Sequence, residues 1–459
     1  MIERARQTVI PAYVGLCLVL GGSSAAGILA NLLLQLLAIP IICWAILTQA
    51  VEPPTRPERQ LLILCGLTIL TVLLQLIPLP PEIWTALPGR DQISEGYVSL
   101  GQPLPWIPVS LMPYATIHSG LSLLPPLAVV LGMIRLRAFD ATWLFWVVGG
   151  VAAGSVFLGT WQMFGGENSG LYPYGDSSYG APTGFFANTN HLATLLVVSI
   201  PMVAALYARA RDRQKKLRSS AGRLVLTLSV LFVTGVGLFV NWSFAGLALA
   251  VPVAAASLAF FSRRVAARRR MILAAALFLL IPLTFIIFLS PVSNSADVTS
   301  LSTSSSERMT FVRLTLKSTK DFFPWGSGGG TFEDIYPLYE DPAAVDLTYV
   351  NNAHNDYLQL ILEYGAGGAI LLGLFFIGWF QGARRSFYLH PPATFAYAAT
   401  VASGAILAHS LVDYPLRTAA VSVLLAACCS IMASHRSIIL ESGSSSDSGS
   451  KPNGKLSPS

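Results

Sequence analysis

Long apolar runs recur along the whole chain, and short polar segments separate them. A helix of about 20 apolar residues crosses the hydrocarbon core of a bilayer, and most of the runs have about this length. The pattern therefore predicts an all-α polytopic membrane protein with about twelve transmembrane helices. The predicted spans cover residues 9–22, 27–48, 61–78, 114–134, 141–164, 189–208, 224–241, 243–261, 271–290, 358–381, 393–412 and 416–434.

The spans divide the chain into four predicted parts. Residues 1–290 hold the first nine spans with short outer loops, and residues 358–434 hold the last three. Between spans nine and ten, residues 291–357 are expected to form a long outer loop with an amphipathic helix. Residues 435–459 are rich in Ser and Gly and have almost nothing to bury, so we expect a disordered tail there.

Composition and charge support this class and orient the chain. Hydrophobic residues make up 53% and charged residues 11%, whereas soluble proteins carry about 25% charged residues. All but six of the 29 Lys and Arg residues fall on one side of the predicted spans. The positive-inside rule places that side, with both termini, in the cytoplasm. The six on the outer side are Arg90, Arg308, Arg313, Lys317, Lys320 and Arg417.

Metal-binding and disulfide-forming residue types do not cluster in the sequence. The five cysteines all lie inside apolar runs, without the spacing of a zinc site or a disulfide framework. The acidic stretch EDIYPLYEDP (333–342) has the pattern of a solvated loop. We therefore expect no metal and no cofactor. We also expect membrane lipids around the chain and no nucleic-acid partner, because the basic clusters serve as topology anchors.

The long outer loop contains an amphipathic stretch, SERMTFVRLTLKSTKDFFPWGSGGGTF (306–332). Its spacing predicts a helix that ends near Phe323, because Pro324 disfavours helix in the residue before it. The glycines that follow predict a flexible turn with exposed backbone. A basic stripe beside such a turn is suited to a diphosphate, although an interfacial helix that pairs with lipid phosphates gives the same pattern. The stripe consists of Arg313, Lys317 and Lys320.

A polar cluster opens the tenth span, in the stretch YVNNAHNDYLQLILEYG (349–365). One of its asparagines is expected to cap the helix, at Asn351, Asn352 or Asn355. His354 at the membrane–water boundary can take a proton from a hydroxyl at neutral pH, or it can be a structural cap.

Glu363 lies about 13.5 Å further along the same helix and on the opposite face from His354. It is expected to be protonated or paired with a partner from another helix, in an interhelical structural role.

Two further polar clusters are predicted on the same side of the membrane. The stretch AHSLVDYPLR (408–417) closes the eleventh span, and its His409 and Asp413 share a helix face. Pro415 is placed to begin the last span. The stretch GFFANTNHLATLL (184–196) opens the sixth span with three polar residues, Asn188, Asn190 and His191. Because three spans begin or end with polar residues on one side, we expect them to form one site.

These blocks resemble the signature of the O-antigen ligase and polymerase superfamily of bacterial inner-membrane proteins. AHNDYLQLILEYGAGG is similar to the family motif of His, Asn, Leu and then Glu-x-Gly. SERMTFVRLTLKSTKDFFPWGSGGGTF resembles the segment that precedes it in the family, and TGFFANTNHLA and LVDYPLR are similar to further family blocks. The resemblance covers nearly the whole chain.

The resemblance implies a GT-C-like fold and a metal-independent glycosyltransferase whose active site faces the periplasm. The donor would be a glycan on undecaprenyl diphosphate, and the acceptor a glycan, lipid A-core or protein. Carried over to this chain, Arg308 would bind the leaving diphosphate and His354 would act as the base. The remaining candidates are Arg313, Asn355, Arg417, Asn190 and Asp413 for substrate binding, and Glu363 and Gly365 for structure.

One family feature is missing. Family ligases usually carry another Arg just ahead of the Thr-Gly of the sixth-span block, where this chain has Ala181 and Pro182. Either Arg417 or Arg313 takes that role, or this member handles its donor differently. The motifs fit a ligase or a repeat-unit polymerase. A lipid-linked sugar transporter, the alternative from another class, would show charges spread over mid-span positions or internal repeats.

Overall fold

The computed structural model describes residues 2–25, 27–212, 218–258, 299–342, 350–388 and 393–434. These residues form a mostly helical protein, with one two-stranded antiparallel ribbon of β1 (Pro78–Leu79) and β2 (Ile107–Pro108). The α-helices are α1 (Ile2–Leu20), α2 (Leu29–Leu47), α3 (Arg56–Leu74), α4 (Pro81–Trp84), α5 (Asp91–Ser99), α6 (Pro113–Leu121), α7 (Leu124–Ile134), α8 (Ala141–Gly165), α9 (Thr189–Asp212), α10 (Arg218–Asn241), α11 (Phe244–Leu258), α12 (Thr299–Phe322), α13 (Phe332–Ile335), α14 (Asp356–Tyr388), α15 (Thr394–His409) and α16 (Ala419–Ala433).

Six helical segments in the described part of the chain are long and apolar enough to cross a membrane. They are Leu29–Leu47, Arg56–Leu74, Pro113–Ile134, Ala141–Gly165, Thr189–Arg209 and Asp356–Phe387. Four shorter apolar helices accompany them, at Arg6–Leu20, Val225–Asn241, Phe244–Leu258 and Ala419–Ala433. The predicted span 271–290 and the tail 435–459 lie outside the described residues. The count of twelve spans therefore stays a prediction.

Helix α9 lies at the centre of the bundle. It packs against α8, α10, α11 and α15. In α9, 89% of the residues in an apolar 18-residue stretch are buried, compared with 22% in the corresponding stretch of α14. Its neighbour α15 is rich in alanine and has nearly all of its residues buried. Small side chains allow helix backbones to approach closely in a membrane, where packing holds helices together. The first turn of α9 is therefore held in place from several sides.

Helix α14 is interrupted at Gly365. The residue has φ 57° and ψ −138°, and a Cβ atom there would lie 2.0 Å from the Pro324 carbonyl oxygen. Only glycine fits this approach and this backbone conformation. Residues 366–387 alone rise about 33 Å, which is enough to cross a bilayer core. The part of α14 after the break is therefore long enough by itself to span a membrane, within the candidate span Asp356–Phe387.

The glycine turn at 326–330 docks on this break. As expected, α12 ends at Phe322, ahead of Pro324. The expectation of a flexible turn with exposed backbone is wrong, because residues 326–329 are buried and their amides are bonded. Ser327 N donates to Leu362 O at 3.0 Å, Gly328 N to Glu363 O at 2.9 Å and Gly329 N to Gln75 Oε1 at 2.9 Å. These amides stabilise the end of a helix segment and are not available to hold an anion.

Arg90 stabilises the other side of the same turn. Its side chain is almost fully buried, and its Nη2 donates to Val109 O and to Gly326 O. The guanidinium also lies 5.4 Å from the centre of the Phe322 ring. Burial lowers the pKa of Arg90 to about 10. The arginine therefore joins the segment that follows β1 to the end of α12.

Candidate active site

Three polar segments that are distant in the sequence meet at one end of the bundle. They are the start of α9 around His191, the loop before α14 that carries His354, and the turn at 410–418 between α15 and α16. The sequence predicted that these segments form one site. In the structure their side chains surround a single carboxylate, that of Asp413.

Asp413 is the centre of the cluster. It is fully buried, its Oδ2 accepts a hydrogen bond from Asn190 Nδ2 at 2.6 Å, and its Oδ1 lies 3.7 Å from His191 Nε2. Burial acts to raise the pKa of this carboxyl. The interaction with His191, the charge of His354 when it is protonated in acid, and the charge of Arg308 outweigh burial and hold the pKa well below its ordinary value. Asp413 is therefore ionised at neutral pH.

His354 lies beside Asp413 in a backbone conformation that few residues adopt. Its φ is 50°, in the left-handed region that is strained for a residue with a Cβ. Its Nδ1 donates to Asn352 O at 3.1 Å, so the neutral ring carries its proton there and leaves Nε2 as a proton acceptor. Burial lowers the pKa of the imidazole, Asp413 raises it and Arg308 lowers it further, with a net lowering. The ring is neutral at pH 7 and can accept a proton.

Two aromatic rings fix the histidines, and neither ring was predicted as part of the site. The Tyr414 ring meets the His354 ring edge-on at 4.8 Å and the His191 ring edge-on at 4.9 Å. The Phe311 ring lies 5.3 Å from His354 on another side. Tyr414 directly follows Asp413 in the chain, which was the one sequence signal that could have pointed to it.

His191 and His409 bring unused hydrogen-bonding capacity to the cluster. Both side chains are buried, and His409 Nδ1 bonds to Thr194 Oγ1 at 2.7 Å. Among the described residues, His409 Nε2 and His191 Nδ1 have no hydrogen-bond partner, and His191 Nε2 has only the Asp413 carboxylate oxygen at 3.7 Å. A buried ring nitrogen without a partner is costly. These nitrogens can therefore serve a polar ligand that enters the cluster.

Arg308 connects α12 to the cluster. Its Nη1 donates to Val412 O at 3.4 Å, and the side chain is only partly buried. Arg313 is exposed and lies about 140° further round the helix, so it does not share the Arg308 face. The other cations of the stripe are exposed too, and Lys317 Nζ lies 5.5 Å from the centre of the Tyr339 ring. Arg308 is thus the member of this helix that lies at the cluster.

A second cluster contains Arg417 and Glu363. Arg417 Nη1 lies 3.0 Å from Glu363 Oε2 and 3.2 Å from Oε1, and its Nε lies 3.8 Å from Asp356 Oδ1. Glu363 is fully buried, so this ion pair provides the partner from another segment that the sequence required. Because two carboxylates compensate Arg417, its charge is already used within the protein. Arg417 as a substrate ligand stays a prediction.

The last helix begins later than predicted. Pro415–Arg417 form a separate 3₁₀ turn, and α16 starts at Ala419 with Thr418 as its cap, whose Oγ1 accepts from Val421 N at 3.3 Å. The prediction that Pro415 begins the span is therefore wrong. The cap at Thr418 allows the chain to turn and place Arg417 against Glu363.

The two candidate asparagines have structural contacts. Asn355 caps α14, since its Oδ1 accepts from Tyr357 N at 3.1 Å and from Leu358 N at 3.0 Å. Its Nδ2 donates to Leu411 O at 2.9 Å. Asn190 holds Asp413 and accepts from Ser243 Oγ at 2.7 Å. The asparagines therefore orient the loop that carries His354 and the carboxylate of Asp413, and direct substrate binding by them stays a prediction.

The described helices and this cluster define a class of protein: a multi-pass membrane protein whose site can accept a proton beside a cation. Within the described residues, no group of three or more His, Cys, Asp or Glu could hold a metal ion. Residues 229–373 match the family model described as O-antigen ligase, and this segment includes α12, His354 and the break in α14. This match to about a third of the chain supports the resemblance to the O-antigen ligase and polymerase superfamily. No curated protein matches the chain.

Proposed function

We propose that the protein is a glycosyltransferase that acts on the periplasmic side and moves a glycan from undecaprenyl diphosphate to an acceptor hydroxyl. The observation that carries the proposal is the neutral imidazole of His354, whose Nε2 is left as acceptor beside the ionised Asp413 and the Arg308 guanidinium. The family match supports an activity of the O-antigen ligase or polymerase type.

The chemistry follows from these three side chains. The acceptor hydroxyl gives its proton to His354 Nε2 while its oxygen bonds to the anomeric carbon of the glycan. The bond from that carbon to the diphosphate oxygen breaks, and undecaprenyl diphosphate leaves with the electron pair. Arg308 stabilises the charge on the leaving diphosphate, and Asp413 stabilises the imidazolium that forms. No step requires a metal ion.

The supporting residues follow from the same contacts. We infer that Asn190 and Asn355 act by orienting Asp413 and the His354 loop. The pair of Arg417 with Glu363 and the close approach at Gly365 keep the first part of α14 in place. Arg313, on the outer face of α12, remains the candidate for a contact with the remote part of the diphosphate donor.

Glycan transfer by the purified protein tests the proposal. The full chain in detergent is incubated with undecaprenyl-diphosphate-linked glycan, with lipid A-core or an acceptor glycan, in the presence of EDTA. We expect one glycan to be joined to the acceptor. A ladder of lengthened donor without added acceptor would show the polymerase instead. No product in any reaction, together with movement of the donor across vesicles that contain the protein, would favour the transporter.

A further inference from the structure

A second candidate binding site lies far from the histidine cluster, which is the group of His191, His354 and His409 around Asp413. An apolar groove of about 240 Å³ runs between α3, the second half of α14 and α16. Its wall includes Leu64, Phe375, Gly378, Trp379, Cys429 and Met432. Gly378 follows the Gly365 break by about 20 Å along the helix. The groove is therefore separate from the site at His354.

One end of the groove is polar and basic. Gln60, Gln381 and Arg385 line it there. Three further arginines are exposed at the neighbouring helix ends, Arg56 and Arg59 at the start of α3 and Arg384 in α14.

Two carboxylates near this end share one arginine, Arg137. Glu58 is fully buried and pairs with Arg137 at 2.5 Å, and Glu52 lies 3.5 Å from the same guanidinium. Among the described residues, the exposed Arg56, Arg59 and Arg384 therefore give this end of the groove an excess of positive charge.

We propose that this groove holds one acyl chain of an anionic glycerophospholipid, with the lipid phosphate at the arginine-rich end. A lipid tail gains no hydrophobic free energy by moving from the bilayer into the groove, because both are apolar. Selectivity therefore comes from the head group. An anionic head group near the membrane surface gains about fivefold in affinity for each Lys or Arg that it meets.

The geometry distinguishes this lipid from the glycan donor. The proposed donor places its diphosphate at Arg308, which contacts the turn that carries Asp413. The basic end of the groove lies at the opposite end of α14 from His354. A single isoprenoid donor cannot place its one diphosphate at both ends of the helix. The donor diphosphate therefore does not account for the arginines at the basic end, whereas the phosphate of an anionic glycerophospholipid does.

Two glycine substitutions on one helix test whether a tail occupies the groove. Gly378 lines it, whereas Gly373 lies outside it, and a Cβ added at either position meets no atom within 4 Å. Gly378→Leu fills the groove, and Gly373→Leu is the matched control. Both are expected to fold, because leucine favours helix more than glycine.

The readout is native mass spectrometry of the full chain with added phosphatidylglycerol or phosphatidylcholine of the same acyl chains. We expect the wild type and Gly373→Leu to retain phosphatidylglycerol preferentially, and Gly378→Leu to lose this retention because its leucine side chain excludes the tail. Arg59→Gln with Arg384→Gln is expected to weaken retention about twentyfold. Equal retention of both lipids, equal retention in Gly378→Leu, or displacement of phosphatidylglycerol by equimolar undecaprenyl phosphate would overturn the proposal.

Discussion

Three neighbours of different kinds hold the His354 imidazole. The Asn352 carbonyl accepts from Nδ1, the Tyr414 ring lies edge-on against the imidazole, and the Asp413 charge lies close by. These contacts compensate the strained backbone of the residue, which has a φ of 50°. A histidine that only capped a helix would not need this conformation, since Asn355 already caps α14. The strain therefore favours the role of base over that of cap.

The rate of transfer should depend on pH through His354. Burial lowers the pKa of this ring, and the ring must be neutral to act as a base. The value of kcat/KM is therefore expected to fall on acidification, with a midpoint below the ordinary value of 6.5. The Asp413→Asn variant removes the charge that raises this pKa, so its midpoint should move to still lower pH. A fall in kcat/KM with a midpoint above pH 6.5 would contradict this assignment. So would a midpoint that is the same in the wild type and in Asp413→Asn.

Arg308 is expected to act on the donor both before and during transfer. Arg308→Ala should weaken donor binding and reduce transfer together, because the diphosphate loses a charge-assisted partner in both states. Arg308→Lys should recover only part of the loss, since a point charge cannot reproduce the planar guanidinium. Lys320→Ala is the control, because it removes an exposed cation from the same helix. Normal donor binding in a folded Arg308→Ala protein would remove Arg308 from the site.

At the level of single residues, much of the candidate site could be predicted from residue types. A histidine, an aspartate and asparagines at span ends indicated a polar site, and Asn355 does cap its helix. The ion pair of Arg417 with Glu363 could not be assigned, because the sequence does not show which cation approaches a buried carboxylate. Tyr414 was missed for a similar reason, since a tyrosine beside a helix end is ordinary until its two histidine contacts are seen.

The break in α14 determines where the His354 loop lies. The glycine turn docks on the carbonyls that the break leaves free, so α12 and α14 are held at a defined position. Gly365→Ala should disrupt this contact, because a Cβ would lie 2.0 Å from Pro324 O and φ is 57°. We expect a lower thermal unfolding temperature in detergent, together with reduced transfer.

The matched control for this substitution is Gly373→Ala on the same helix. The added Cβ meets no atom within 4 Å there, and alanine stabilises a helix interior by about 0.5–1 kcal/mol relative to glycine. Its unfolding temperature should stay the same or rise. If Gly365→Ala unfolded at the temperature of the wild type, the break would not be needed for the fold.

Helix ends were predictable where a local rule determines them. Pro324 ends α12 through its effect on the preceding residue, and this rule needs no tertiary information. The glycine turn was mispredicted because its amides bond to Leu362, Glu363 and Gln75, which are distant in the sequence. The glycine-rich composition of the turn alone suggests mobility. The hydrogen bonds to these three distant residues hold it in one conformation.

The whole molecule carries different chemistry at its two ends. The histidine cluster lies at one end, and Arg137 with Glu58, Glu52 and Ser434 lies at the end that the basic residues predict to be cytoplasmic. The six candidate spans of the described residues could be predicted from hydrophobicity, but the central place of α9 could not. Helices of similar hydropathy differ in burial only once their packing is known.

Cysteine labelling of intact spheroplasts tests the orientation. Ser178 and Gln102 are exposed in loops predicted to be outside, so cysteines placed there should react with a membrane-impermeant thiol reagent. A cysteine at Ser219, in a basic segment predicted to be cytoplasmic, should react only after the membrane is opened. The reverse pattern would place the histidine cluster on the cytoplasmic side and remove the periplasmic assignment.

Transfer by the His354→Gln variant tests the central claim most directly. Glutamine keeps a hydrogen-bonding group but cannot take a proton, so donor binding should stay near normal while turnover falls by roughly 10²–10⁴-fold. His118→Gln is the control, since His118 is exposed on α6 and lies outside the cluster. The measurement is glycan transfer from purified lipid-linked donor, with donor binding followed separately. Turnover near that of the wild type in a folded His354→Gln protein would contradict the claim that His354 is the base.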